Sequence, residues 1–151
     1  KITTSKNKIF YAPNIIIAGG VGSFEPRKFS VKEAEKFENN GVYYSVKDKN
    51  YFKNKKVCIF GGGDSALDWT VELAKTAKSL SLIHRRDQFR GAQHTEAQMR
   101  ELVKSGEVNL LTPYVIEEIN GDDKVGGVTL KNFDTKESVT HEADELLFLF
   151  G

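Results

Sequence analysis

The chain of 151 residues contains a single cysteine, Cys58, and no apolar run that approaches the roughly 20 residues needed to span a membrane. One cysteine excludes an internal disulfide and a cysteine-rich metal site, so a reduced, cytoplasmic setting is the default expectation. The sequence also lacks an initiator methionine and a signal-peptide pattern at its start. A net charge of +1 excludes a strongly basic nucleic-acid-binding protein.

Charge is unevenly distributed along the chain despite the small total. Residues 1–56, 57–105 and 106–151 carry net charges of +7, +1 and −7. Such asymmetry can mark a surface that docks an acidic partner, and the alternative is that the solvated faces simply differ in charge. Part of the positive charge is concentrated in five lysines: Lys47, Lys49, Lys53, Lys55 and Lys56.

The first third of the chain predicts little regular structure. Residues 8–18 have the apolar character of a strand, interrupted by a Pro-Asn break. Ser30 and Glu33 have the spacing of a capping box, which predicts a short helix that ends near Phe37. Residues 41–56 are polar, aromatic and lysine-rich, and this composition predicts a linker.

Strands and helices then alternate. Apolar runs predict parallel strands at 57–60, 79–83 and 108–111, separated by a helix over 64–77 and a second helix that opens with a Thr95–Gln98 capping box. Alternating segments at 114–119, 127–132 and 138–143 predict an antiparallel meander, and 146–150 a returning strand. The order predicts an α/β fold, a Rossmann-like doubly wound parallel sheet with an antiparallel β-meander excursion.

A glycine-rich turn follows the first of these parallel strands and reads Gly61-Gly62-Gly63-Asp64-Ser65-Ala66. The pattern G-x-G-x-x-A between a buried strand and a helix is typical of dinucleotide-binding sites. The first glycine permits the tight turn, the third leaves room for a pyrophosphate, and the alanine lets the helix pack closely. The helix N-terminus attracts phosphates, to which Ser65 can add a hydroxyl donor, whereas Asp64 is expected to cap the helix. A plain strand–helix turn is the alternative.

Basic residues replace the acid that NAD-binding sites place after the second strand. The positions carry His84, Arg85 and Arg86, followed by Arg90. An acid would repel a 2′-phosphate, whereas guanidinium groups bind it bidentately, so the sequence predicts NADP(H) as the cofactor. Ordinary surface charge is the alternative for the arginines. His84 is expected either to touch the ribose phosphate or to cap the strand.

These two segments together resemble a known family. The glycine-rich turn with the run His84-Arg85-Arg86-Asp87-Gln88-Phe89-Arg90-Gly91 looks like the NADPH-binding domain of thioredoxin-reductase-like flavoproteins. Thioredoxin reductases carry a Cys-x-x-Cys dithiol just before this domain's first strand. The matching stretch here, Gly41-Val42-Tyr43-Tyr44-Ser45-Val46, has no cysteine. In this respect the chain is similar to the ferredoxin (or flavodoxin)–NADP reductases of the thioredoxin-reductase-like type.

The resemblance implies an organisation and an activity. Residues 41–151 would form the NADPH-binding domain, and residues 1–40 would supply hinge strands and a short helix at the end of a truncated FAD domain. The parent enzyme would transfer hydride from NADPH to FAD and pass electrons to ferredoxin or flavodoxin, as a homodimer, without nucleic acid or a membrane. Because the flavin carries the chemistry, no catalytic residue is expected here, and the chain alone should bind NADP(H) without turnover.

Two alternatives remain at this stage. One is a fragment of a thioredoxin-reductase-like disulfide reductase, which the missing dithiol disfavours. The other is a non-catalytic NADP(H)-binding module. Elsewhere in the chain, Cys58 is expected in the core, Trp69 is expected to pack, and His94 and His141 lack partners at metal-ligand spacing. No metal site is predicted.

Overall fold

Continuous apolar runs form the centre of a five-stranded sheet in the computed structural model, which describes residues 1–16 and 34–150. The sheet has every neighbouring pair of strands parallel. In chain order the strands are β1 (Ile2–Thr3), β2 (Ile9–Phe10), β3 (Val42–Tyr43), β4 (Lys56–Phe60), β5 (Ser79–Ile83), β6 (Val108–Leu111), β7 (Tyr114–Asn120), β8 (Gly127–Asn132), β9 (Ser138–Glu142) and β10 (Glu145–Phe148). The five-stranded sheet has the order β3-β10-β4-β5-β6.

Two helices cover one face of this sheet. Helix α1 spans Asp64–Leu73 and α2 spans Gln93–Lys104, and each follows a strand of the parallel sheet. Leu67 and Met99 on these helices are fully buried against Ile59 of the sheet. Within residues 1–16 and 34–150, neither helix has the length and apolar character that crossing a bilayer would need.

A three-stranded antiparallel sheet, β7-β8-β9, covers the opposite face. Its apolar side chains Ile119, Val128 and Leu130 lie in one buried cluster with Phe60 and Ile83 of the parallel sheet. Helices on one side and the meander on the other therefore enclose two cores separated by the parallel sheet. This architecture confirms the predicted fold class, and the strands predicted between 57 and 150 are present to within two residues at each end.

The prediction of a linker over residues 41–56 is wrong. Strand β3 pairs in parallel with β10, and a 3-10 helix, Lys49–Phe52, follows it with Asp48 as its N-cap. Phe52 is buried, and the ring of Tyr43 packs edge-to-face on it at 5.7 Å. The sequence indicates a linker here because lysines outnumber aromatic residues in the segment, and a two-residue strand leaves no periodic signal.

Three further boundaries differ from the sequence expectations. Of the strand expected at 8–18, the structure shows only the two residues of β2. In the described part of the chain β2 pairs only with β1, which is also two residues long. Residues 17 and 18 lie outside the described part. Helix α1 ends at Leu73, and tight turns continue to Ala77. Of the helix expected to open at Ser30, the structure describes only a 3-10 turn, Ala34–Phe37.

Helix α2 begins two residues before the predicted cap. Ala92 is its N-cap, so Thr95 and Gln98 lie inside the helix and form no capping box there. The start is fixed by a contact from elsewhere in the chain, because the N–H of Ala92 donates to the carboxylate of Asp64 at 2.7 Å. A tertiary contact of this kind leaves no trace in local sequence.

One carboxylate is buried where β10 begins between β3 and β4. Glu145 Oε1 accepts from Lys55 Nζ at 2.6 Å and from the hydroxyl of Tyr51 at 3.2 Å. Its Oε2 is buried and has no partner in the described residues. The Glu145 side chain is 7 % exposed and that of Lys55 is 30 % exposed. Lys55 is therefore the positive charge that compensates a nearly buried negative one.

Replacement of Lys55 by Met should destabilise the fold, because it leaves the Glu145 carboxylate without a counter-charge. We expect a loss of about 2–3 kcal/mol in the free energy of unfolding, less than for a fully buried pair because Lys55 is partly exposed. Urea unfolding followed by circular dichroism measures it. Lys49→Met is the matched control: its ion pair with Glu72 is more exposed, and its removal should cost no more than about 1 kcal/mol. Equal losses in the two variants would contradict this account.

Candidate functional site

The carboxyl ends of β4 and β5 bring two polar segments to one edge of the sheet. Phe60 and Ile83 are paired at the end of the two strands, and the N–H of Gly61 donates to the carbonyl of Ile83 at 3.1 Å. We refer to residues 61–63 as the glycine turn and to residues 84–92 as the arginine loop. In parallel α/β sheets, ligands bind in the crevice beyond the carboxyl ends of the strands.

The glycines at the two ends of the glycine turn have different roles. Gly61 has a φ of +154°, and a Cβ built there would lie 2.9 Å from Cβ of Ala66 and against the backbone carbonyl of Leu149. The fold therefore requires glycine at position 61 and a small residue at position 66. Gly63 has an ordinary φ of −98°, and a Cβ there would meet nothing within 4 Å. The space beside Gly63 is open to a ligand.

The glycine turn and the start of α1 contain unsatisfied N–H groups. The amides of Gly62 and Gly63 have no acceptor among the described residues, and the first turn of α1 adds its own free N–H groups. Ser65 lies exposed in that turn. Free amides and the positive end of the helix dipole together favour an anion at this position.

The expectation that Asp64 caps the helix is wrong. Gly63 is the N-cap of α1 and Asp64 is its first residue, so the Asp64 side chain is past the position from which it could cap. Its carboxylate instead accepts the N–H of Ala92, at the end of the arginine loop, at 2.7 Å.

The arginine loop presents three guanidinium groups to solvent. Arg85, Arg86 and Arg90 are exposed, and none pairs with a carboxylate in residues 1–16 and 34–150. The backbone of the loop lies on the glycine turn, because the N–H of Arg90 donates to the carbonyl of Gly62 at 2.7 Å. The structure therefore brings the loop that carries the predicted arginines to the glycine turn.

His84 closes one side of the glycine turn. A Cβ built at Gly62 would lie 2.5 Å from Cε1 of His84, so the ring covers this glycine. The ring also contacts Phe89, with ring centroids 5.3 Å apart, and has a hydrogen bond with the backbone of Gln88. Burial lowers the pKa of His84, and the positive charges of the neighbouring arginines lower it further. The imidazole is therefore uncharged at neutral pH. Contact between His84 and a ribose phosphate stays a prediction.

Several contacts that shape the site cannot be read from the sequence. Phe89 lies between His84 and the guanidinium of Arg100, which is 5.5 Å from its ring. Asp87 accepts a hydrogen bond from the Thr112 hydroxyl, and its carbonyl accepts one from Arg100 at 3.4 Å. These contacts join the arginine loop to α2 and to the end of β6, and only the three-dimensional structure shows them.

Other sites of chemistry are not supported. A cleft of about 700 Å³ lies at the opposite edge of the sheet, where Lys56, Ser81 and His141 are among its lining residues. The His141 Nε2 and the Ser81 hydroxyl are 2.8 Å apart, but Glu142 beside them pairs with Lys56, and no acid of the described part of the chain hydrogen-bonds to the imidazole. No group of three metal-ligating side chains occurs among the described residues.

The whole sequence, residues 1–151, matches the pyridine nucleotide-disulphide oxidoreductase family. The chain belongs to this family. A ferredoxin–NADP reductase of Pelagibacter ubique is 50 % identical over 99 % of the chain and 44 % of the relative, and one of Thermus thermophilus is 44 % identical over 100 % of the chain and 45 % of the relative. The chain thus spans less than half the length of these curated relatives.

Solved structures of thioredoxin reductases share the fold. Thioredoxin reductase of Lactococcus lactis superposes with a TM-score of 0.75 and 30 % identity, over 83 % of this chain and 41 % of that one. The thioredoxin reductase of T. acidophilum has a TM-score of 0.76 at 23 % identity, over 86 % and 42 % of the two chains, and this likeness concerns the fold alone. The resemblance drawn from the glycine-rich and arginine-rich segments is confirmed.

Replacement by alanine should lower the free energy of unfolding much more at Gly61 than at Gly63. Gly61→Ala should lower the free energy of unfolding by about 2 kcal/mol or more, because a Cβ at that φ strains the backbone and meets Ala66 and Leu149. Gly63→Ala should cost about 1 kcal/mol or less, the effect expected at an open N-cap position. Thermal and urea unfolding of the two variants measure the difference. A Gly63 variant as unstable as the Gly61 variant would contradict the geometry described above.

Proposed function

We propose that this chain binds NADP(H), with the pyrophosphate at the glycine turn and the 2′-phosphate at the arginine loop. One observation carries the proposal: three exposed guanidinium groups without acidic partners in the described residues sit on a loop hydrogen-bonded to the open glycine turn. Free amides at the turn suit the diphosphate, and planar guanidinium groups suit a phosphate monoester. The residues that would hold the cofactor are Gly61, Gly62, Gly63, Asp64, Ser65, Ala66, His84, Arg85, Arg86 and Arg90. Among them Asp64 would act indirectly, through its hydrogen bond to Ala92.

Electrostatics supports NADP(H) over NAD(H). A site for NAD(H) offers a carboxylate to the ribose hydroxyls at the end of the second strand, and here that strand is followed by His84, Arg85 and Arg86. The uncharged imidazole of His84 adds no positive charge of its own, so the selectivity for a phosphate would rest on the arginines.

We further propose that the chain is the NADPH-binding part of a ferredoxin–NADP reductase. The relatives that cover 99–100 % of it carry that name, and the resemblance implies FAD in the remainder of such an enzyme. The division into residues 1–40 and an NADPH-binding domain over 41–151 belongs to this proposal. In this role the protein's own residues bind and orient NADPH, which supplies the hydride.

Disulfide reduction is disfavoured as the alternative, although the structural neighbours include thioredoxin reductases. Residues 41–46 hold no cysteine, and the one cysteine of the chain, Cys58, is buried in β4. Burial raises the pKa of the Cys58 thiol to about 12, so the thiolate needed for disulfide exchange is nearly absent at neutral pH.

Replacement of both Arg85 and Arg86 by Ala should weaken NADP⁺ binding selectively. We expect a loss of about 1.5–3 kcal/mol for each charge-assisted contact removed, and little change in NAD⁺ binding, since NAD⁺ lacks the 2′-phosphate. Isothermal titration calorimetry with both nucleotides measures it. Lys47→Ala combined with Lys53→Ala removes the same charge at exposed positions outside the glycine turn and the arginine loop and serves as the control. Equal affinity of the unchanged protein for NADP⁺ and NAD⁺ would overturn the assignment.

The lysine-rich segment offers a smaller docking surface than its composition suggests. Three of its lysines form ion pairs within the chain: Lys49 with Glu72, Lys55 with Glu145 and Lys56 with Glu142. Lys47 and Lys53 are exposed and have no acidic partner in the described ranges. We propose that these two lysines contribute to binding an acidic electron acceptor such as ferredoxin or flavodoxin. Homodimer formation remains a prediction.

Reversal of Lys47 and Lys53 to Glu should weaken productive encounter with ferredoxin. In the enzyme that contains this chain, the KM for ferredoxin should rise about 3- to 10-fold at low salt, with the KM for NADPH unchanged. The rise should shrink as salt approaches the range where the Debye length is about 8 Å. Lys104→Glu with Lys124→Glu gives the same change in charge elsewhere and should have little effect. If the acceptor kinetics of both double variants match those of the unchanged enzyme, Lys47 and Lys53 only solvate their segment.

A further inference from the structure

Two side chains and two backbone N–H groups hold the arginine loop in place, and its arginine side chains take no part in this. Phe89 packs against His84 and Arg100, and Asp87 accepts a hydrogen bond from Thr112. The N–H of Arg90 donates to the carbonyl of Gly62, and the N–H of Ala92 donates to the carboxylate of Asp64. The guanidinium groups are left exposed by this arrangement. A flexible loop of the same sequence would hold them over many positions, at a cost in entropy when a ligand orders them.

Asp64 supplies a side-chain hydrogen bond between α1 and the end of this loop. Its Oδ1 accepts the N–H of Ala92 at 2.7 Å, which fixes the point where the loop enters α2. The loop also runs close to the helix here: a Cβ built at Gly91 would lie 2.5 Å from Cδ1 of Leu67 and 3.4 Å from Cα of Asp64. Leu67 is fully buried, so the loop has little freedom to shift on that side.

The charge of Asp64 makes a direct contact with a phosphate unfavourable. A carboxylate in the first turn of α1 stands beside the amides that the proposed function gives to the pyrophosphate, and like charges there repel. Its hydrogen bond to the loop gives the side chain a different use. Any contribution of Asp64 to NADP(H) binding therefore has to come through the loop.

We propose that Asp64 is a positioning residue that sets the preference for NADP(H) over NAD(H) by holding the arginine loop on the end of α1. The inference rests on the proposed function and deepens it. The glycine turn and the helix N-terminus serve both nucleotides, whereas the arginines serve only the one with a 2′-phosphate. Releasing the loop should therefore weaken NADP⁺ and leave NAD⁺ nearly unchanged.

Two substitutions at this position separate anchoring from charge. Asp64→Asn keeps an oxygen that can accept the Ala92 N–H and removes the negative charge, whereas Asp64→Ala removes both. We expect the ratio of NADP⁺ to NAD⁺ affinity to fall about 5- to 10-fold in Asp64→Ala, as for the loss of one hydrogen bond, and to stay within about twofold in Asp64→Asn. Asp68→Ala, one turn further along the exposed side of α1, is the matched control and should leave the ratio unchanged.

Calorimetric titration of each variant with NADP⁺ and NAD⁺ gives the ratio, and amide hydrogen exchange of Ala92 reports the anchor directly. Exchange at Ala92 should accelerate in Asp64→Ala and stay slow in Asp64→Asn. A ratio that falls equally in Asn and Ala, or that is unchanged in Ala, would overturn the positioning role. Absence of any NADP⁺ preference in the unchanged protein would instead overturn the proposed function, and the selectivity role with it.

A second variant approaches the loop from its other contact. Gly91→Ala places a Cβ against Leu67 and should push the loop from α1, lowering the same ratio without altering Asp64. If Asp64→Ala fails to fold, as judged by its melting curve, this variant carries the test together with Asp64→Asn. Loop positioning is supported if the ratio of NADP⁺ to NAD⁺ affinity falls in Gly91→Ala and stays the same in Asp64→Asn. It is contradicted if the ratio does not change in Gly91→Ala.

Discussion

Parallel pairing of β4 with β5 is the constraint on which the candidate site depends. The ladder ends with Phe60 opposite Ile83, and the bond from Gly61 to Ile83 extends it by one residue. Two segments that are distant in sequence therefore leave the sheet at the same edge. The glycine turn then has to bend sharply into α1, and the arginine loop has to cross over that bend before α2 can begin. Without this register the glycine turn and the arginine loop would not lie at the same edge of the sheet.

The parts of the fold that sequence predicts well are those with long local signals. Strand β4 is a continuous apolar run, and the glycine-rich turn after it marks the start of α1. Strand β3 cannot be recognised from the sequence, because two residues are too few to show an alternation of apolar and polar side chains. Its position is set by pairing with β10, about one hundred residues later. The start of α2 was misplaced for a related reason: its determinant is Asp64, 28 residues before Ala92.

The candidate site shows the same division. The residue types of the glycine turn and the arginine loop can be recognised from the sequence, because phosphate binding requires them at that spacing. What holds them in place cannot. The covering of Gly62 by His84, and the packing of Phe89 against Arg100, depend on how loops meet in space. Sequence therefore indicates which residues belong to the motif, whereas the contacts that position them are visible only in the structure.

Part of the charge gradient along the chain is neutralised by ion pairs within the fold. Lys55 and Lys56, from the basic first segment, pair with Glu145 and Glu142 from the acidic last one. These two segments are joined because β4 and β10 are neighbouring strands. A charge asymmetry read from sequence overstates the field outside the protein whenever the opposite ends of the chain meet in one sheet.

The burial of Cys58 has a practical consequence. The thiol lies in β4, one of the interior strands, and it is the only one in the chain. Burial raises the pKa of this thiol to about 12, so the thiolate that an alkylating reagent needs is scarce at pH 8 even if a reagent could reach it. Alkylation therefore has to wait until β4 leaves the sheet. The rate of alkylation at Cys58 therefore reports how often the core opens. Mass spectrometry can follow it without a cysteine or label being engineered into the chain.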